Sequence, residues 1–398
     1  MAAPRRNPGL LRTRKPGEHS KVTFIELFFD LVFVFAVTQL SQMLQKDLSP
    51  LGLLHAALLL LAMWWAWIDT SWATNWLDPE RTPVALLLLA LMLCGLVLSA
   101  ALPQAFGPRG LVFGVVFAAM HLLRCLFMLA ALSRQGGRNY RNYQRITLWR
   151  GLSSVVWIAG GLTGGPIRLG LWAAALALDS LAPSLGFWVP GLGRSLTADW
   201  TVEGGHMAER CALFVIIALG ESILVTGAGF AAVPWREETI AAFLIAFLGN
   251  VALWWIYFGT GAERGSRTIT TSADPGRLAR AAYTYLHLPI IAGVIVSAAG
   301  DNLVLLHPAS QGEPAVIAII LGGAALYVLG NALFKQSIVQ RFPLSHLVGL
   351  AMLMGLLPVM QDMTVLVLDG SVTAILITVA VWERVSWRHS RRAGVEIG

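Results

Sequence analysis

Seven ionisable side chains sit inside long runs of apolar residues, and they are where chemistry is to be sought. Glu26 and Asp30 are spaced i,i+4, and His121 and Arg124 i,i+3, so each pair shares one helix face. Asp179, Glu221 and His287 each stand alone in an apolar run. An acid or an arginine at the centre of a bilayer costs about 2.5–3.5 kcal/mol on insertion scales, so such groups face partners, water or a ligand. Two readings follow. In the first, Asp30, Glu221 and Asp179, with Glu26 beside Asp30, line a cavity and bind a cation or relay protons, with His121 or His287 titrating near neutral pH. In the second, Arg124 is neutralised by Asp30 or Glu221 and the polar groups are interhelical glue. We take the first for Asp30 and Glu221, the ion pair for Arg124, and satisfied core positions for His121 and His287. A further cluster, His206, Glu209 and Arg210, stands at the entrance of the run that holds Glu221. Asp69, Asp301 and Asp362 read as helix-end residues that water reaches.

The elements that must position these groups are transmembrane helices. Of 398 residues, 56% are hydrophobic and only 13% charged, too few polar groups to cover a soluble globule of this size. The charges cluster in short gaps between apolar runs of roughly 20 residues, the length that spans a hydrocarbon core. Spans are predicted at 23–44, 51–74, 83–103, 111–132, 147–163, 168–189, 210–230, 239–260, 279–300, 315–334, 344–361 and 364–386. The fifth and eleventh are short or broken by Gly and Pro. The expected fold is all-α, a polytopic transmembrane helix bundle of about 12 spans. With the N-terminus in the cytoplasm, 24 of the 29 basic residues fall on inside segments and four outside, with Arg124 within a span. That asymmetry obeys the positive-inside rule along the chain, places both termini in the cytoplasm, and accounts for the net charge of +7. Basic residues scattered over loops do not form a nucleic-acid surface.

Four parts are expected: a basic, disordered cytoplasmic tail at 1–22, a six-helix half at 23–200, a second at 201–388, and a basic tail end at 389–398. The first apolar run carries two acids and no small-residue cleavage site, so it reads as a retained span. Cys94, Cys125 and Cys211 have no metal or redox spacing and read as small buried hydrophobes. Many of the fifteen tryptophans lie near span ends, as interfacial belts require.

The two halves resemble each other weakly. Trp64-Trp65-Ala66-Trp67-Ile68 with Thr70 matches Trp254-Trp255-Ile256-Tyr257-Phe258 with Thr260, and Gly95–Ala101 matches Gly293–Ala299. The first of these registers, moved by one residue, sets Asp30 opposite Glu221. Two six-helix repeats entering from the same side would be a parallel repeat, an arrangement used by transporters.

Two stretches carry a family resemblance. His19-Ser20-Lys21-Val22-Thr23 followed by Phe24-Ile25-Glu26-Leu27-Phe28-Phe29-Asp30-Leu31-Val32-Phe33 resembles the N-terminal signature of the bacterial low temperature requirement protein A family. His206, Glu209-Arg210 and Leu213–Ile223, with Gly220-Glu221-Ser222 at its core, resemble that family's other hallmark. The resemblance covers residues 19 to about 390. It implies a multispanning membrane protein named for a need in growth at low temperature, and implies no substrate, reaction or cofactor.

Three function classes remain. The leading one is a secondary transporter or channel-like protein in the bacterial cytoplasmic membrane, moving a small cation, a proton or a small solute past the acids of the first and seventh spans. No G-x-x-x-x-G-K-[ST] loop is present to drive it, and the loop Asn75–Thr82 lacks the Gly- and Arg-rich motif of the major facilitator superfamily. The second is an intramembrane enzyme on a lipid substrate, built on His206, Glu209 and Arg210 near a helix N-terminus. Against it stands the absence of H-E-x-x-H, paired-aspartate and nucleophile-elbow motifs, so the enzyme reading is the weaker one. The third is a non-catalytic membrane-adaptation protein. No cofactor or metal is expected, the lipid bilayer is the one certain partner, and the sequence does not fix an oligomeric state.

Overall fold

The computed structural model describes residues 9–13, 21–133, 136–197 and 200–392, with side chains up to residue 386. Within them the chain is helical, and the only β pairing is three isolated bridges, Leu11 with Leu77, Val189 with Gly193 and Gln311 with Thr364. The helices are α1 (Phe24–Lys46), α2 (Pro50–Trp76), α3 (Thr82–Ala101), α4 (Gly110–Ser133), α5 (Gly137–Leu162), α6 (Gly165–Leu181) and α7 (Gly204–Ala232). They continue with α8 (Glu237–Phe258), α9 (Gly261–Thr271), α10 (Pro275–Leu278), α11 (His287–Leu306), α12 (Pro314–Val339), α13 (Leu344–Gly355) and α14 (Val365–Arg392). A π-helical stretch, Ala279–Tyr285, joins α10 to α11.

Among the described residues nine helical segments are long and apolar enough to cross a membrane. They are α1, α2, α3 with a short 3-10 extension, α4, α7, α8 run on into α9, α10 run on into α11, α12, and α14 to Ser386. Three of the twelve expected spans are not among these nine, each for a physical reason. The expected sixth span, 168–189, stops at Leu181, because Pro183 and then Gly186 at φ +64 turn the chain out of the helix. The expected eleventh yields α13, only 12 residues long and ended ahead of Pro358. The expected fifth is longer than its apolar run: α5 begins ten residues earlier and carries Arg138, Arg141 and Arg145 in its first half, with Arg150 just beyond its midpoint.

Several helices start where the chain chemistry tells them to. Pro stands in the first turn of α3, α6, α10 and α12, where its missing N–H costs nothing. Glu26 caps the start of α1, its carboxylate accepting from the Thr23 backbone N–H at 2.9 Å and from the Thr23 hydroxyl at 2.8 Å. The outer faces are apolar: Leu86, Leu89, Leu93 and Leu96 form an exposed stripe along α3, the face a spanning helix turns to lipid.

Contacts divide the chain into two compact units. The first is Met1–Phe33 with Ala62–Met207, the second Val34–Leu61 with Ala208–Gly398, so the three divisions fall within α1, α2 and α7. In the first unit α4 and α5 meet through glycine: a Cβ on Gly114 would lie 2.5 Å from the Trp157 carbonyl oxygen. Small residues permit such close approach between membrane helices. Gly114→Leu is therefore expected to cost at least about 1–3 kcal/mol, read as earlier thermal unfolding of the purified protein in detergent. Arg168 fastens the same region by donating to the carbonyls of Ala105 (2.9 Å), Gly107 (2.6 Å) and Gly160 (3.2 Å). In the second unit α11 and α12 pack equally closely, Gly293 against the Tyr327 backbone, and the Tyr327 hydroxyl donates to Leu253 O of α8 at 2.6 Å.

Most of the tail at 1–22 lies outside the described residues. Residues 9–13 lie against the end of α2, Arg12 N donating to Trp76 O and Asp78 N to Leu10 O, each at 2.9 Å.

Candidate functional site

Three groups of buried polar residues emerge, two in the first unit and one in the second. The largest is an ion-pair network joining four helices of the first unit. Arg150 of α5 binds Asp69 of α2 at 2.7 Å and also pairs with Asp179 of α6. Arg124 of α4 binds Asp69 at 2.9 Å, donates to Thr70 Oγ1 at 3.2 Å, and donates to His121 Nδ1 at 2.8 Å. Because arginine has only donors, His121 Nδ1 is assigned as acceptor and the ring as neutral. Trp157 Nε1 donates to Asp179 Oδ2 at 3.1 Å, and Arg150 lies 5.2 Å over the Trp65 ring. Two guanidinium cations thus balance two carboxylates, and both oxygens of Asp179 have partners.

This arrangement corrects two expectations. Arg124 pairs with Asp69, whereas Asp30 or Glu221 was the expected partner. Asp69, expected at a wet helix end, is held in the network, because α2 runs on to Trp76 and keeps it almost two turns inside. Arg150 lies in the predicted span 147–163 and counts there among the inside basic residues; the structure buries it in this network.

The second group surrounds Glu26 at the start of α1. Beyond the cap with Thr23, its carboxylate binds Arg12 at 3.0 Å and His206 Nε2 at 2.8 Å. Asn75 of α2 donates to Glu203 O at 2.8 Å and meets His206 Nδ1 at 3.3 Å, so that nitrogen is assigned as acceptor and Nε2–H as the donor to Glu26. Glu26 and His206 are fully buried. One turn further along α1, Asp30 is also fully buried, and its Oδ1 accepts from Trp67 Nε1 at 2.7 Å. These contacts give His206 a clear task, orienting and binding a carboxylate, and leave it little room as a general base on a substrate.

The third group lies in the second unit. Glu221 of α7 is only 2% exposed, and its Oε1 has no hydrogen-bond partner among the described residues. The Thr38 hydroxyl of α1 lies beside it. Thr38, Ser41 and Gln45 follow one another at i, i+3 and i+7 on α1, and Gln45 accepts from Asn302 Nδ2 of α11 at 2.6 Å. A polar stripe thus leads from Glu221 along α1 toward the end of α11. Glu209 is half-buried and Arg210 buried in the same unit.

Two other polar groups of this unit are saturated. His287 Nε2 meets the Tyr257 hydroxyl at 2.8 Å and its Nδ1 meets Ala282 O at 2.9 Å, which makes it a satisfied core histidine. Lys335 binds Glu383 at 2.7 Å and Ile256 O at 2.7 Å, while Thr260 donates to Glu383 at 2.6 Å. No group of three His, Cys, Asp or Glu among the described residues is placed to hold a metal ion.

The sequence profile of the bacterial low temperature requirement A proteins matches residues 21–381. The chain belongs to that family. A curated relative from Rhizobium meliloti (strain 1021), described as an uncharacterised protein, is 40% identical over 379 residues, covering 94% of this chain and 92% of the relative. No solved structure matches. In this low temperature requirement A protein the two signature stretches end up as distinct devices: Thr23 and Glu26 cap α1, His206 binds Glu26, and Asp30 and Glu221 are the buried acids further along α1 and α7.

Proposed function

We propose that this protein is a secondary transporter or channel-like protein for a proton, a small cation or a small solute, and that Glu221 is its principal binding acid. One observation carries the reading: a carboxyl group 2% exposed, within an apolar helix, with an oxygen that no described residue satisfies. Buried polar atoms are nearly always paired, so an orphaned one calls for an occupant such as a proton or an ion. The stripe Thr38, Ser41, Gln45 and Asn302 supplies hydroxyl and amide groups along which an ion or water chain could reach it.

Asp30 is assigned as the second binding acid, on its full burial and on its register with Glu221 in the weak internal repeat. Glu26 and Asp179 move to a structural role with Arg124, His121, His206 and His287, because their oxygens are engaged by protein donors. The proposal includes twelve crossings in two parallel six-helix repeats, a bacterial cytoplasmic membrane, and both termini inside, the last on the 24-to-4 distribution of basic residues.

The test is ion and proton flux into proteoliposomes bearing the purified protein. Wild type is expected to conduct or exchange at least one of H+, Na+ and K+, with Glu221→Gln and Asp30→Asn reducing the rate at least about tenfold while eluting as folded protein. Unchanged flux in both variants would end the assignment of these acids. No flux of any of the three ions from wild type would end the cation reading.

A further inference from the structure

We propose that the first unit carries a binding site for an anionic phospholipid, with the phosphate held by arginines at the start of α5 and the acyl chains lying along the apolar continuation of that helix. Two adjoining cavities support this. One, of about 610 Å³, is lined by Arg138, Arg141, Arg145 and Arg194 with Gly137 and Leu196, and by no acid among the described residues. The other, of about 540 Å³, is lined by Leu148, Trp149, Leu152, Leu185 and Trp188 with Val189 and Pro190, and it shares Arg194 with the first. Each volume lies in the range of small-molecule sites.

The helix itself makes the two cavities one site. Arg138, Arg141, Arg145, Leu148 and Leu152 follow at steps of three or four residues, so one face of α5 passes from cationic to apolar along its length. A phospholipid has that same polarity, an anionic head followed by hydrocarbon. Leu148, Leu152, Leu185 and Trp188 are each more than half exposed, in a protein whose outer surface faces lipid.

The cationic end is more than a set of loop charges of the positive-inside kind. Arg145 is 7% exposed and its guanidinium is fixed in place: Nε donates to Leu192 O at 2.9 Å and Nη1 to Asn142 Oδ1 at 2.7 Å. The loop that supplies Leu192 and Arg194 is shaped by Gly191 at φ +77 and Gly193 at φ +70, conformations that other residues seldom adopt. Trp149 Nε1 donates to Trp188 O at 3.0 Å, closing the apolar groove at the level where tryptophan favours the membrane interface. Basic pockets between membrane helices on the positive side of a protein recognise phosphate head groups by the same electrostatics. The site is independent of Glu221 and of the flux proposal.

The experiment is native mass spectrometry of the full-length protein in detergent, titrated with phosphatidylglycerol, phosphatidylcholine or inorganic phosphate. Selective retention of phosphatidylglycerol is expected. Arg141→Gln combined with Arg194→Gln, both exposed in the lipid-free protein, is expected to weaken it about thirtyfold, whereas the exposed Arg267→Gln leaves it unchanged. Equal retention of the two lipids by wild type would overturn the proposal without any variant. So would undiminished retention by the double variant, and so would inorganic phosphate displacing the lipid at equal concentration, which would mark a site for free anions.

Discussion

Arg150→Met is expected to destabilise the protein by about 3–5 kcal/mol, the largest loss of any single substitution considered. The cause is charge balance. With Arg150 gone, the part-buried Asp69 and the buried Asp179 keep Arg124 as the only cation bound to either among the described residues, and Arg124 reaches Asp69 alone. Asp179 would keep only the Trp157 indole as a donor. A second substitution separates this account from simple loss of packing. Asp179→Leu together with Arg150→Met removes one charge of each sign and leaves the Asp69–Arg124 pair balanced, so the double variant should recover most of the loss. The Trp157 N–H left without its acceptor keeps the recovery incomplete, by about 1 kcal/mol. Thermal unfolding in detergent, followed through tryptophan fluorescence, gives the four corners of the cycle. A double variant no more stable than the weaker single would refute charge balance as the cause. Because ion binding is assigned to Glu221 and Asp30, the double variant should also keep its flux.

The network shows what sequence reasoning can and cannot reach here. Arg124, His121 and Asp179 stood out because each interrupts an apolar run, and the cost of burying them is visible residue by residue. Their partners did not stand out. Asp69 lies only seven residues before the end of α2 and looked wet, and Arg150 looked like one more positive-inside charge because three other arginines precede it in α5. The fold followed the same division. Helices that are apolar nearly throughout, such as α3, or that carry only a few buried polar groups, such as α4, were legible to within a few residues. Those that mix arginine with apolar turns, or break at Pro183 or Pro358, were not, because hydropathy averages over faces that the folded protein keeps apart. The link between Glu26 and His206 spans 180 residues, and only the fold could bring it into view.

The acids of α1 and α7 should respond to substitution with opposite signs. Glu26 binds Thr23, Arg12 and His206, so Glu26→Met removes a helix cap and takes one acceptor from the part-buried Arg12 guanidinium and the charge partner from the buried His206 imidazole. A loss of about 2–4 kcal/mol is expected. Glu221 offers the reverse case, since its Oε1 satisfies no described donor and no cation binds it among the described residues. Glu221→Met removes an unsatisfied buried polar group in favour of an apolar side chain of similar length, and should raise stability by about 1–3 kcal/mol while abolishing flux. A gain in stability at the expense of activity is the mark of a residue retained for function, whereas a loss of both is the mark of glue. Thermal unfolding and flux measured on the same two preparations decide between them. If Glu221→Met unfolds as early as Glu26→Met, the carboxyl group is holding the second unit together, and the binding site must be sought at another acid.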